Sequence, residues 1–108
     1  MTIYDYVTSG GKNVIQEYIN KLPPKEQLQV LDIRSEIVKS GVDAFEKINT
    51  RHLRDKLWEI KISQTRIMYV IKDADAVYFC NICKKQKGKA EKHEIELAIR
   101  RAKEAGLM

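Results

Sequence analysis

The stretch that most restricts the fold is a pair of alternating runs in the middle of the chain. Trp58, Ile60 and Ile62 alternate with Glu59 and Lys61, and Ile67, Tyr69 and Ile71 alternate with Arg66, Met68 and Val70. Side chains on a strand point to opposite faces in turn, so a period of two predicts two successive strands, each with one face turned to a core. Opposed residues of an antiparallel pair share a face, and only an even-length connection unites the two apolar sets. Ser63-Gln64 supplies that connection. The resulting register sets Ile60 opposite Ile67 and Lys61 opposite Arg66. Glu59, Lys61 and Arg66 then lie together on the face away from the core.

Upstream the period is helical. Val14, Ile15, Tyr18, Ile19 and Leu22 mark one face of a helix that must stop before Pro23-Pro24. From Lys25, the positions Leu28, Leu31 and Val38 interleave with Val30, Ile33 and Ile37 to give a second helix a wide apolar face, closed by Gly41. Two helices joined by so little predict an antiparallel helical hairpin seeking a sheet. Ile3-Tyr4-Asp5-Tyr6-Val7 reads as an edge strand before the Ser9-Gly10-Gly11 turn, and residues 47–50 as a polar connection. A turn at residues 72–76 leads to a third strand, residues 77–83, whose buried side stays open because both parities are largely apolar. Ile95, Ala98, Ile99 and Ala102 define a last helix, closed by Gly106. The expectation is one α+β domain over residues 1–108: an N-terminal helical hairpin packed on a small curved antiparallel β-sheet, with a C-terminal helix.

At 108 residues the chain has room for a single modest core. The longest apolar run, residues 67–71, is far too short to span a bilayer, and residues 1–12 lack the pattern of an export signal, so a cytoplasmic protein is expected. The formal charge is +5 and sits in one place. Residues 84–103 hold eight basic side chains against three acids, and the rest is balanced. Such a segment suits a polyanion or an acidic partner, and equally the solvated face of a lysine-rich helix. Cys80 and Cys83 form a C-x-x-C with neither a helix N-terminus nor a second ligand pair beside it, which favours a structural role. Three apart on a strand they face opposite ways, which disfavours a disulfide.

No glycine-rich phosphate loop, nucleophile elbow or metal-ligand spacing is present, so no metal or cofactor is expected. What remains is cationic. Arg66, with Lys61 beside it and Lys84 and Lys85 at the end of the third strand, converges on one phosphate if the sheet curves. Metal-free RNA cleavage needs a base for the 2′-hydroxyl, cations for the phosphorane and an acid for the leaving 5′-oxygen. The plainer reading makes Arg66 an exposed residue paired with Glu59. Only two histidines exist. His52, just before the strand carrying Lys61, is the candidate for proton transfer, with a surface loop position as its alternative. Lys87, Lys89, Lys92, His93, Arg100 and Arg101 form the candidate RNA-binding set.

His52-Leu53-Arg54-Asp55-Lys56-Leu57-Trp58-Glu59-Ile60-Lys61, then Arg66-Ile67-Met68-Tyr69, then Cys83-Lys84-Lys85-Gln86-Lys87 and Glu94-Ile95-Glu96-Leu97-Ala98 resemble the HigB-like, phage Gp49-related branch of the RelE/ParE toxins. The resemblance covers about half the chain and implies a RelE-like fold and the toxin of a type II toxin–antitoxin pair that cleaves mRNA in the ribosomal A site. It makes Arg66 the stabiliser of the transition state and Lys61 the activator of the 2′-hydroxyl. Lys84 and Lys85 match a basic pair, and His52 falls near a catalytic histidine position. The implied partners are a cognate helix-turn-helix antitoxin, the ribosome and mRNA. Gly88-Lys89-Ala90 replaces the family's common threonine-proline and no tyrosine or histidine ends the chain, which leaves the general acid open. The alternative on the same fold is a ParE-like inhibitor of DNA gyrase or an inactive phage-derived RNA-binding module.

Overall fold

A computed structural model describes residues 1–108. Its centre is a five-stranded sheet of β1 (Thr2–Asp5), β2 (Thr50–Arg54), β3 (Leu57–Ile62), β4 (Thr65–Asp73) and β5 (Ala76–Lys84), in the spatial order β1-β5-β4-β3-β2. Helices α1 (Val14–Asn20) and α2 (Pro24–Ser40) pack on one face, α3 (Gly88–Glu104) packs on the other, and a 3₁₀ stretch (Gly41–Glu46) follows α2. The class is α+β. No helix is long and apolar enough to cross a membrane.

The central hairpin has the register its alternation dictates: Ile60 faces Ile67 and Lys61 faces Arg66. Ser63 takes a left-handed φ of 53° at the head of the two-residue turn, where tight hairpins demand it. Asn13 caps α1, its side-chain oxygen accepting the Gln16 N–H at 2.9 Å. Pro24 occupies the first turn of α2, and Gly41, at φ 63°, ends it. The core beneath these helices joins Ile15, Ile19, Val30 and Ile37 to Ile60, Ile67, Tyr69, Val77 and Phe79. Arg34 ties α2 to β1 through Asp5 at 2.9 Å. Only part of the wide apolar face of α2 is used. Val30 and Ile37 are buried, whereas Leu28, Leu31 and Val38 stay in solvent.

Four expectations are corrected. The helical hairpin is not N-terminal, because β1 precedes it. The sheet is mixed, since β1 runs parallel to β5, with Thr2 beside Ala76 and Asp5 beside Phe79; a parallel neighbour requires a long crossover, which the intervening elements provide. The polar connection continues into a strand, β2. An edge strand is wetted on its outer side and needs no apolar alternation, so Arg51, His52 and Arg54 hide it from a periodicity argument.

The last correction matters most for function. The second face of the sheet is covered: Leu57, Met68, Val70, Cys80 and Cys83 pack against Ile95, Ala98 and Ala102 of α3. This is why both parities of β5 are apolar, and why Glu59 is only 2% exposed. Cys80 and Cys83 share that face, because the register jumps from Met68–Asn81 to Tyr69–Phe79 and leaves Cys80 as the extra residue of a bulge, which resets the alternation. Both thiols are free.

Candidate active site

The β3–β4 hairpin presents Lys61 and Arg66 side by side, and β5 sets Cys83 against Arg66 on its other flank. Past β5 the chain is fastened to the hairpin turn, the Lys85 N–H donating to the Gln64 carbonyl at 2.6 Å. Where α3 ceases to cover this end of the sheet, a cleft of about 100 Å³ remains, lined by Arg51, Glu59, Lys61, Arg66, Lys85 and Glu91, with Met68, Cys83, Gln86 and Glu94 completing its walls.

Its charges divide into spent and unspent. The Glu59 carboxylate accepts from Arg51 Nε at 2.7 Å, and Arg51 Nη2 donates to Glu91 at 3.2 Å. Burial works against the Arg51 charge, but the Glu59 and Glu91 carboxylates outweigh it and hold the guanidinium above its ordinary pKa. Glu94 accepts from Asn81 Nδ2 at 2.7 Å. All three acids are therefore engaged. Arg66 Nη1 donates to the carbonyls of Ser63 and Thr65 at 2.9 and 3.0 Å, which orients the guanidinium without neutralising it. Lys61, Arg66 and Lys85 take part in none of the chain's ion pairs. Three uncompensated cations at the mouth of a cleft, Arg66 held in place by the two carbonyls, can hold an anion and stabilise charge that develops on it. Cys83 is no nucleophile here, since burial, reinforced by Glu94, pushes its thiol up to about 12.

Of the residues singled out from sequence, the structure brings Lys61, Arg66 and Lys85 together. Lys84 is turned away: it pairs with Thr65, whose hydroxyl donates to Glu26 of α2, so strand alternation puts both on the α2 side. His52 is also on that side, as register partner of Trp58. Its ring lies 5.1 Å from the indole and its Nε2 is 2.7 Å from the Asp55 carbonyl oxygen. The sheet separates it from the cleft, so proton transfer there is beyond its reach. Lys87, Lys89, Lys92, His93 and Arg100 are exposed along α3. Arg101 is engaged instead, donating to the Cys80 carbonyl at 3.1 Å and to Asn81 Oδ1 at 3.2 Å, with its guanidinium 4.4 Å over the Tyr6 ring. Glu59 pairs with neither Lys61 nor Arg66 but with Arg51, a residue the sequence pattern does not reveal. Its only signal is a position opposite Glu59, which requires β2 to be recognised first.

No curated protein matches the chain. Residues 17–103 match the family described as phage-derived protein Gp49-like (DUF891). That span runs from within α1 through the β2–β5 hairpins to the last turn of α3, and takes in every wall of the cleft. The chain therefore belongs to the Gp49-like family, a family of RelE/HigB-like toxins.

Proposed function

We propose that the protein is the toxin of a toxin–antitoxin pair and cleaves mRNA on the ribosome without a metal ion, in the cytoplasm, until a cognate helix-turn-helix antitoxin neutralises it. The observation that carries this reading is the convergence of Lys61, Arg66 and Lys85, free of carboxylate partners, at one cleft. The scissile phosphate sits among them. The 2′-oxygen attacks phosphorus, the bond to the 5′-oxygen breaks, and the products are a 2′,3′-cyclic phosphate and a 5′-hydroxyl. Water takes the proton of the 2′-hydroxyl and returns one to the departing 5′-oxygen; the Lys61 ammonium activates the 2′-hydroxyl by stabilising the negative charge that develops on its oxygen, Arg66 takes the charge that accumulates on the equatorial oxygens, and Lys85 holds the phosphate in place. Arg51 keeps Glu59 and Glu91 from competing for these cations. The exposed bases of α3, Lys87, Lys89, Lys92 and Arg100 with His93, bind flanking phosphates and set a salt-dependent affinity.

The decisive measurement is cleavage of ribosome-bound mRNA by Arg66→Ala. Removing one preorganised cation at a developing charge costs about a hundred- to a thousandfold in rate, or roughly 3–4 kcal/mol, with thermal stability unchanged. Parental cleavage by folded Arg66→Ala removes the residue from the mechanism. A parental protein that leaves ribosomal mRNA intact and blocks DNA gyrase instead replaces the nuclease with the gyrase-inhibitor reading.

A further inference from the structure

The apolar face of α2 is wider than the core beneath it. Leu28, Leu31 and Val38 are 61%, 58% and 57% exposed, and Val42, just past the helix, is 44% exposed. Within α2, Leu28, Leu31, Ser35 and Val38 fall at i, i+3, i+7 and i+10, the alternation of three and four that marks a helix–helix seam. Scattered exposed apolar side chains need no explanation, but a continuous stripe on one helix does. Beside it a groove of about 480 Å³ runs between α1 and α2, with Gln16, Asn20 and Gln27 on its sides and Leu28 and Leu31 along its edge.

We propose that this stripe is the contact surface for a second copy of the same chain, its α2 packed antiparallel about a twofold axis near Ser35. The flanking charges select the occupant. Asp32 and Lys39 each follow a seam residue, lie on the same flank, and have no ion-pair partner within the chain. Turning a second α2 end over end brings its Lys39 to Asp32 and its Asp32 to Lys39, two complementary pairs generated by one axis, as an isologous interface requires. A parallel pairing instead sets Asp32 against Gln27 and Lys39 against Arg34, which Asp5 already holds, so neither charge gains an opposite partner. Ser35, small and central, lets the two backbones approach. The cation-lined cleft lies on the other face of the sheet, where α3 ends its cover, so both copies keep it open.

Sedimentation equilibrium of the full-length chain over the micromolar to millimolar range tests this. The expected result is a reversible dimer, and a monomer for Leu31→Glu/Val38→Glu with the parental circular dichroism and melting temperature, since neither side chain belongs to the core. Asp32→Lys and Lys39→Asp should each weaken the dimer about tenfold. The double exchange, Asp32→Lys/Lys39→Asp, should return most of that loss, because the pairs re-form with signs swapped. This charge exchange also serves if the glutamate variant fails to fold. A chain that stays monomeric throughout the range overturns the proposal and leaves the stripe to a partner of different sequence. So does a dimer indifferent to the glutamates, or charge effects that simply add.

Discussion

The two faces of the sheet differ in how completely they are covered. Under α1 and α2 the strands offer Ile60, Ile67, Tyr69, Val77 and Phe79 to an apolar layer. Under α3 the same strands offer Leu57, Met68, Val70 and Cys80 along one half and Glu59, Lys61 and Arg66, with Cys83 beside Arg66, along the other. The unpaired cations collect where α3 runs out. A face that is wholly buried can only stabilise; a face buried at one end gives charged side chains a rigid floor and neighbours to orient them, while the other end anchors the sheet.

That contrast can be broken by substitution on each side. Phe79→Ala, in the fully covered layer, should cost about 3–5 kcal/mol of stability in chemical denaturation, through lost burial and the cavity left behind. If the variant still folds, cleavage per folded molecule should hardly change. Arg66→Ala should give the reverse pattern. Arg51→Ala lies between, because it leaves Glu59 buried without its counter-charge. A loss of about 1–3 kcal/mol is expected, together with weaker substrate binding as Glu59 turns to the free cations.

The two thiols beneath α3 carry their own pH signature. Burial pushes the Cys80 and Cys83 thiols up to about 12 from an ordinary 9. Raised thiol pKa values stabilise the fold fully below the unfolded value, so stability should fall as pH climbs from about 9 towards about 12, and both thiols should resist alkylation at neutral pH. The smallest effect is expected at His52. His52→Gln should alter single-turnover cleavage by less than about twofold, since general acid–base groups act only within hydrogen-bond reach. A hundredfold loss with its pH inflection abolished would mean that RNA reaches around the sheet edge.

How much of this could be read from the chain follows the same division. The β3–β4 register was legible because a two-residue connection between alternating runs admits one solution, and with it the adjacency of Lys61 and Arg66. Partial cover of the second face was not, because Ile95, Ala98 and Ala102 reveal a helix without revealing where on the sheet it stops. The parity of Cys80 and Cys83 failed at a bulge, which leaves no mark in a sequence whose both parities are apolar. Arg51 and the orientation of His52 depend on β2, an edge strand without alternation. Placing His52 by its distance along the chain from Lys61 ignored that a strand pair assigns faces by register: Arg51 joins Glu59 on one side, and His52 joins Trp58 on the other.

The parallel seating of β1 beside β5 bears on when this protein becomes competent during its own synthesis. Thr2 and Ala76 are neighbours in the sheet yet 74 positions apart in sequence, and joining ends so distant costs roughly 4 kcal/mol of chain entropy before any contact compensates. β1 therefore finds its place only after β5 has been made. It waits while α1, α2 and four strands emerge, and α3, whose Glu91 and Glu94 wall the cation cleft, is translated later still. Until β5 and α3 have been made, a growing polypeptide carries Lys61 and Arg66 without the arrangement that gives them force.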